Sequence, residues 1–168
     1  FYIDMNLYNK QSKLVDVKEI IDLNERISLL LHETQKERGI TSSFLGTKGA
    51  KFKDTLITQK ELTNKNIEEF KKTINKISVE KYPENGKNLI DNVLKELSSI
   101  QNIRSDVDSL AIDAKKAIAY YTDLNATLLS FVALTSTIAD SESTIKSIIA
   151  YYNFLMAKER AGIERAVG

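Results

Sequence analysis

A chain of 168 residues, 42% of them hydrophobic, is one domain's worth and can bury a real core. Its net charge of +1, from 24 basic and 23 acidic residues, leaves no basic excess for a nucleic-acid footprint, and the absence of cysteine excludes disulfides and thiolate metal sites. No apolar run reaches the length of about 18 residues that a membrane span needs. Six Gly and one Pro in the whole length leave few turns, and abundant Ala, Leu, Ile, Lys and Glu suit helix. The expected fold class is therefore all-α.

In chain order, Ile20, Ile27, Leu31 and Leu45 form a heptad-like seam, with Ile21, Leu23 and Leu30 beside it. The spacing predicts a first helix from about residue 5 to 46, roughly 60 Å long at 1.5 Å per residue. It ends at the breaker cluster Gly46-Thr47-Lys48-Gly49, a helix-hairpin turn without the spacing of a phosphate loop. Phe52, Leu56, Ile67, Phe70, Ile74 and Ile77 then recur at three- and four-residue spacing as a second amphipathic helix, up to a second breaker cluster, Pro83-Glu84-Asn85-Gly86. Beyond Gly86 a seam runs through Val93, Leu97, Ile100 and Val107, then Ile118, Tyr121, Leu128 and Val132. A break between Ser109 and Asp113 divides it, with Asp113 as N-cap of the fourth helix. A last helix follows Asp140-Ser141-Glu142 and carries Ile145, Ile149, Tyr152, Leu155 and Ile163. Five helices on short connections make an extended up-down antiparallel bundle with a long first helix. By parity the first and last helices point the same way, so a further descending helix is expected to complete a module that returns to its starting side.

The polar residues in phase with these seams carry the functional signal. Continuing from Leu31 leads through Thr34, Arg38 and Thr41; the third helix adds Arg104 between Ile100 and Val107; the second offers Gln59, Thr63 and Asn66. A guanidinium cannot shed its proton, and burying it costs several kcal/mol unless an anion meets it. Its planar fork matches a carboxylate or a planar oxyanion bidentately. For Arg38 two anions are open: Glu159, in phase on the last helix, or a ligand. For Arg104 no in-phase carboxylate stands out, which favours a ligand. Tyr121 and Tyr152 can stack on an arginine or close over an ion, or simply fill the core. His32, the single histidine, has no partner at metal-ligand spacing. No Ser/His/Asp set and no glycine-rich strand-to-helix element is present, so no catalytic residue and no metal site is assigned, no cofactor is expected and an enzyme is not expected.

One string recurs in altered form: Gln35-Lys36-Glu37-Arg38-Gly39-Ile40-Thr41 and Lys158-Glu159-Arg160-Ala161-Gly162-Ile163-Glu164-Arg165. With His32-Glu33-Thr34 before the first copy, Ser42-Ser43-Phe44-Leu45-Gly46 after it, the Gln59 to Thr63 stretch and Tyr121-Thr122-Asp123-Leu124-Asn125, the pattern resembles the nitrate- and nitrite-sensing domain of bacterial signalling proteins, from about residue 20 to the end. Lys60 after Gln59, and Asn64 after Thr63, depart from the arginine and aspartate that the family favours, and family modules extend past the second motif. The resemblance implies a non-enzymatic, all-helical input domain of a chemoreceptor or related protein, binding a small anion (nitrate, nitrite or a small carboxylate) between helices. Its ligand-binding residues would be Arg38, Arg104 and Arg160, with Arg165 in the same motif, joined by Gln35, Gln59, Thr63 and Tyr121. It further implies a single sensor domain over residues 1–168, periplasmic and homodimeric, an extracytoplasmic fragment anchored through transmembrane helices outside it. The competing reading is a helical interaction module for a periplasmic partner, with the arginines in structural salt bridges.

Overall fold

The computed structural model describes the backbone of residues 2–138 and 142–167, and the side chains of 17–138 and 145–167. Among the described residues the chain is helical throughout: α1 (Tyr2–Gly46), α2 (Lys53–Lys76), α3 (Glu84–Ser98), α4 (Ile100–Asp108), α5 (Ala114–Ile138) and α6 (Glu142–Val167), with a 3-10 turn at Val79–Lys81. The expected third helix is thus two pieces. They form one rod, because Ser99 between them keeps helical dihedrals (φ −85, ψ −10). The Ser98 hydroxyl donates to the Lys95 carbonyl at 2.6 Å, a back-bond of the kind that bends helices.

Local chemistry explains the remaining boundaries. At the end of α1 the Gly49 amide donates to the Phe44 carbonyl and the Lys48 amide to the Leu45 carbonyl, both at 2.9 Å, a Schellman closure. Lys48 occupies its left-handed position at φ 51. Asp113 caps α5 as expected, its carboxylate accepting from the Lys116 amide at 2.8 Å. The second breaker cluster behaves differently. Pro83 is the extended residue before α3, and Glu84, Asn85 and Gly86 form the helix's first turn, where proline's missing N–H is no loss. Phe52 corrects another expectation: it lies outside α2, left-handed at φ 70 and 44% exposed, so it is no part of the core seam. The expected boundary at Asp140-Ser141 lies outside the described residues.

Side-chain bonds fix the register between rods. Asn24 meets Thr135, Thr34 meets Asn125 and Glu37 meets Tyr121, so α1 and α5 are antiparallel. Lys60 meets Asp108 and Asn64 meets Arg104, so α2 and α4 are antiparallel. On α6 the order Lys158, Glu159, Ala166 follows His32, Gln35, Ser42 on α1, so those two helices run parallel, as parity requires. Helix α1 packs against α2, α5 and α6 and is the spine of the bundle. By length and composition α5 is apolar enough to cross a membrane, but half of that window is buried inside the bundle, where its apolarity serves packing.

The buried apolar residues fall into two clusters. The larger contains Ile20, Leu23, Ile27, Leu30 and Leu31 of α1 with Phe70, Val93, Leu124, Leu128 and Phe131; the smaller, near the α1–α2 turn, contains Phe44, Leu56, Val107 and Ala117. Between them, over residues 34–41 of α1, the buried residues are polar. An L-residue in the left-handed region costs about 1–2 kcal/mol, so replacing exposed Lys48 by glycine should stabilise the fold by up to about 1 kcal/mol, read as a higher urea midpoint at unchanged slope.

Candidate functional site

The polar layer holds two arginines and two carboxylates in separate pairs. Arg104 and Glu37 form a fork: Nε to Oε1 at 2.6 Å and Nη2 to Oε2 at 2.8 Å, with Glu37 wholly buried. Tyr121 donates its phenol to Glu37 Oε1 at 2.7 Å, and Asn64 Oδ1 accepts from Arg104 Nη1 at 2.6 Å. Burial works against the Arg104 charge, but the hydrogen bond and charge of Glu37 outweigh it and raise the guanidinium's pKa. Burial, then the charge of Glu37 and the bond to it, push the Tyr121 phenol well above its ordinary value, so it remains a donor.

The second pair is looser. Arg38 Nη1 donates to Glu159 Oε1 at 2.6 Å, but Nη2 reaches Oε2 only at 3.3 Å. Nη1 also touches Thr122 Oγ1 at 3.1 Å. Glu159 is shared further, accepting from Gln35 Nε2 at 2.7 Å and Asn125 Nδ2 at 3.3 Å. Arg38 Nε and Thr41 Oγ1, both buried, have no hydrogen-bond partner. Because buried polar groups are nearly always paired, the bare Arg38 Nε marks an unmet need for an acceptor, whereas the Thr41 side chain faces the Tyr121 phenol.

Beside this pair a cleft of about 250 Å³ opens between α1 and α6, lined by His32, Gln35, Lys36, Gly39, Lys158, Gly162, Arg165 and Ala166. Four of these are basic or can become so, and none is acidic. Gly162 forms part of its wall, and a Cβ there would lie 2.8 Å from Arg38 Nη2, so any larger residue would displace the end of the guanidinium. Lys158 Nζ sits within hydrogen-bond distance of His32 Nδ1. Burial first, then Lys158 and Lys36, lower the His32 pKa, against a smaller opposing pull from Glu33.

The expected site residues are therefore partly assembled. Arg38 and Gln35 converge on Glu159, the pairing that the seams left open for Arg38. The expectation that Arg104 lacks a carboxylate is corrected by Glu37, which repeats Leu23, Leu30 and Phe44 at seven-residue spacing and so lies on a second buried seam of α1. Tyr121 serves the same pair. Gln59 and Thr63 are buried but turn elsewhere: Gln59 Nε2 donates to Glu33 Oε2 at 2.6 Å, and Thr63 Oγ1 bonds its own helix at Gln59 O. Asn66 bonds the Leu62 carbonyl of its own helix. Arg160 is exposed and lines no part of the cleft, whereas Arg165 does. Asn64, Thr122 and Asn125 were missed as site residues, though Asn125 lies one turn from Tyr121.

Removing one member of a buried pair strands the other's charge. Arg104→Met is expected to cost about 3–5 kcal/mol in urea unfolding, and adding Glu37→Leu to it should recover most of that loss. Tyr121→Phe alone should cost about 1–2 kcal/mol.

The solved structure of the NasR transcription antiterminator superposes on 98% of this chain with a TM-score of 0.88 at 21% identity, and the chain spans 46% of that protein's length. At that identity the likeness establishes the fold alone. No curated protein matches the sequence. The family profile described as nitrate and nitrite sensing matches residues 29–168, which takes in both copies of the recurring motif and the whole polar layer. The chain belongs to the nitrate and nitrite sensing family.

Proposed function

We propose that the chain is a non-catalytic input domain that binds a small planar oxyanion, nitrate or nitrite, in the α1–α6 cleft against Arg38. The observation that carries this reading is the orphaned Nε of a wholly buried arginine beside a cleft with basic walls and no acid. Thr122 supplies a hydroxyl at the guanidinium, Gln35 an amide, and Arg165, Lys36 and Lys158 the rim charge that attracts and holds the anion. Arg104, with Glu37 and Tyr121, supports the layer from the opposite flank of α1 and takes no ligand. Arg160 drops out of the proposed contact set in favour of Arg165; Gln59 and Thr63 act through Glu33.

In context, the domain would be the periplasmic input of a membrane-anchored, homodimeric receptor of the chemoreceptor type. What supports this is the parallel run of α1 and α6. A sliding of about 1–2 Å between packed helices is an established way to pass a signal along such a stalk. Sedimentation equilibrium tests the dimer, and reporter fusions to the full-length protein test the compartment.

The competing reading, a protein-interaction module, is favoured by one observation: both arginines already have a carboxylate. Titration calorimetry with nitrate, nitrite, formate and acetate separates the two. An anion sensor should bind nitrate or nitrite saturably, and Arg165→Gln, at an exposed rim position, should weaken binding about tenfold, the worth of one charged hydrogen bond. Absence of binding for all four anions, with Arg38→Ala merely destabilising, would leave the interaction module.

The cleft also makes binding pH-dependent. The depressed pKa of His32 keeps the ring neutral at pH 7, facing Lys158 of α6 and Lys36 and Glu33 of α1. A bound anion favours the charged ring, so affinity should rise as pH falls from 7.5 through and below the ordinary value of 6.5. His32→Gln should flatten that dependence in the same titration.

A further inference from the structure

We infer that Glu159 is a built-in competitor: it occupies Arg38 in the ligand-free domain, and the entering anion exchanges with its carboxylate. This rests on the anion-binding reading above and adds to it the event that converts binding into movement.

The two buried pairs invite a direct comparison. Glu37 holds Arg104 through Nε and Nη2 at 2.6 and 2.8 Å, the parallel fork that suits a guanidinium best, with Tyr121 and Asn64 completing the set. Glu159 holds Arg38 by one short and one long bond, 2.6 and 3.3 Å, and leaves Nε bare. A carboxylate tethered to α6 approaches from one side only. A free planar oxyanion carries the same oxygen geometry without the tether, so it can take the full fork that Glu159 leaves half-used.

The surroundings permit the exchange. Gly162 gives Arg38 Nη2 room on the α6 side, where a methyl group would crowd it at 2.8 Å. A released Glu159 keeps two donors, Gln35 Nε2 and Asn125 Nδ2, so its carboxylate is not stranded. Glu159 is also the one residue of α6 that bonds α1 and α5 together at this layer. Replacing it on Arg38 removes the ion pair between α6 and α1 there and leaves only the Gln35–Glu159 and His32–Lys158 bonds at that level, while Ser42 to the Ala166 carbonyl still pins the far end at 3.1 Å. The ligand thus loosens a defined contact between two parallel helices.

An occupied arginine weakens apparent affinity by the fraction of molecules in which it is free. The test is nitrate titration by calorimetry on the unaltered chain, Glu159→Gln and Glu159→Asp at one pH and ionic strength, with nitrate-dependent melting as a second readout. Glu159→Gln keeps the shape and removes the charge, so it should bind nitrate at least about tenfold more tightly and gain more in Tm at saturating nitrate than the unaltered chain. Glu159→Asp keeps the charge but shortens the arm, and should gain less. It decides the matter if the glutamine variant does not fold without the anion. Equal or weaker affinity in both variants, with the unaltered chain binding normally, would overturn the competitor and leave the sensor reading standing. Failure of all three proteins to bind nitrate would remove the sensor reading and the competitor with it.

Discussion

Two guanidinium groups sit in the middle of this bundle, almost wholly out of water, and neither can lose its proton. Each must meet an anion inside the protein, and the sequence between Thr34 and Thr41 is devoted to that requirement. Glu37 and Arg38 are neighbours in the chain, about 100° apart around α1, so one turns to α4 and the other to α6. Both can be buried because α1 has neighbours on three sides. The spine position of α1 and the chemistry of the layer are the same fact seen at two scales.

The layer also explains why the core is divided. Fully buried apolar residues of α1 stop at Leu31 and resume at Phe44, with only half-buried Ile40 between them, and the other helices place Tyr121, Asn125, Arg104 and Glu159 at the same level. Replacing such a layer with well-packed apolar residues is often neutral or stabilising, so stability alone does not account for its presence. Register is one return on that cost, since a slip of one turn would unpair every member. The proposed anion site would be another, and the orphaned Arg38 Nε is what supports it.

Much of this was legible in the sequence where a helix has a single buried seam. The α2 pattern of Leu56, Ile67, Phe70 and Ile74 and the cap at Asp113 followed from three- and four-residue spacing, which also put Glu159 in phase with Arg38 as one of its two open partners. Reading failed where one seam was too few. On α1 the phase through Leu31 and Arg38 led away from the phase through Leu30 and Glu37, and only the packing of three helices shows that both are inside. Arg160 lies outside the cleft for the opposite reason: once Glu159 points inward, the next residue lies about 100° round the helix and faces water. Phe52 was misplaced because hydrophobicity alone does not distinguish a core position from a left-handed residue just outside the helix.

Charge accounting narrows what the layer can do with a ligand. Arg38 and Arg104 against Glu37 and Glu159 sum to zero, so the buried layer is neutral as it stands. A monovalent oxyanion added to it leaves one uncompensated negative charge, costly at this depth unless something else changes. The cleft offers the compensation from outside the layer, through Lys36, Lys158, Arg165 and a His32 held neutral but poised to take a proton. The opposite flank offers none: Lys60 there is committed to Asp108 and Asn64 to Arg104. Of two buried arginines with the same charge and nearly the same burial, Arg38 is therefore the one the proposed function assigns to the anion, because basic side chains line the cleft beside it, whereas Lys60 and Asn64 on the Arg104 flank are already engaged.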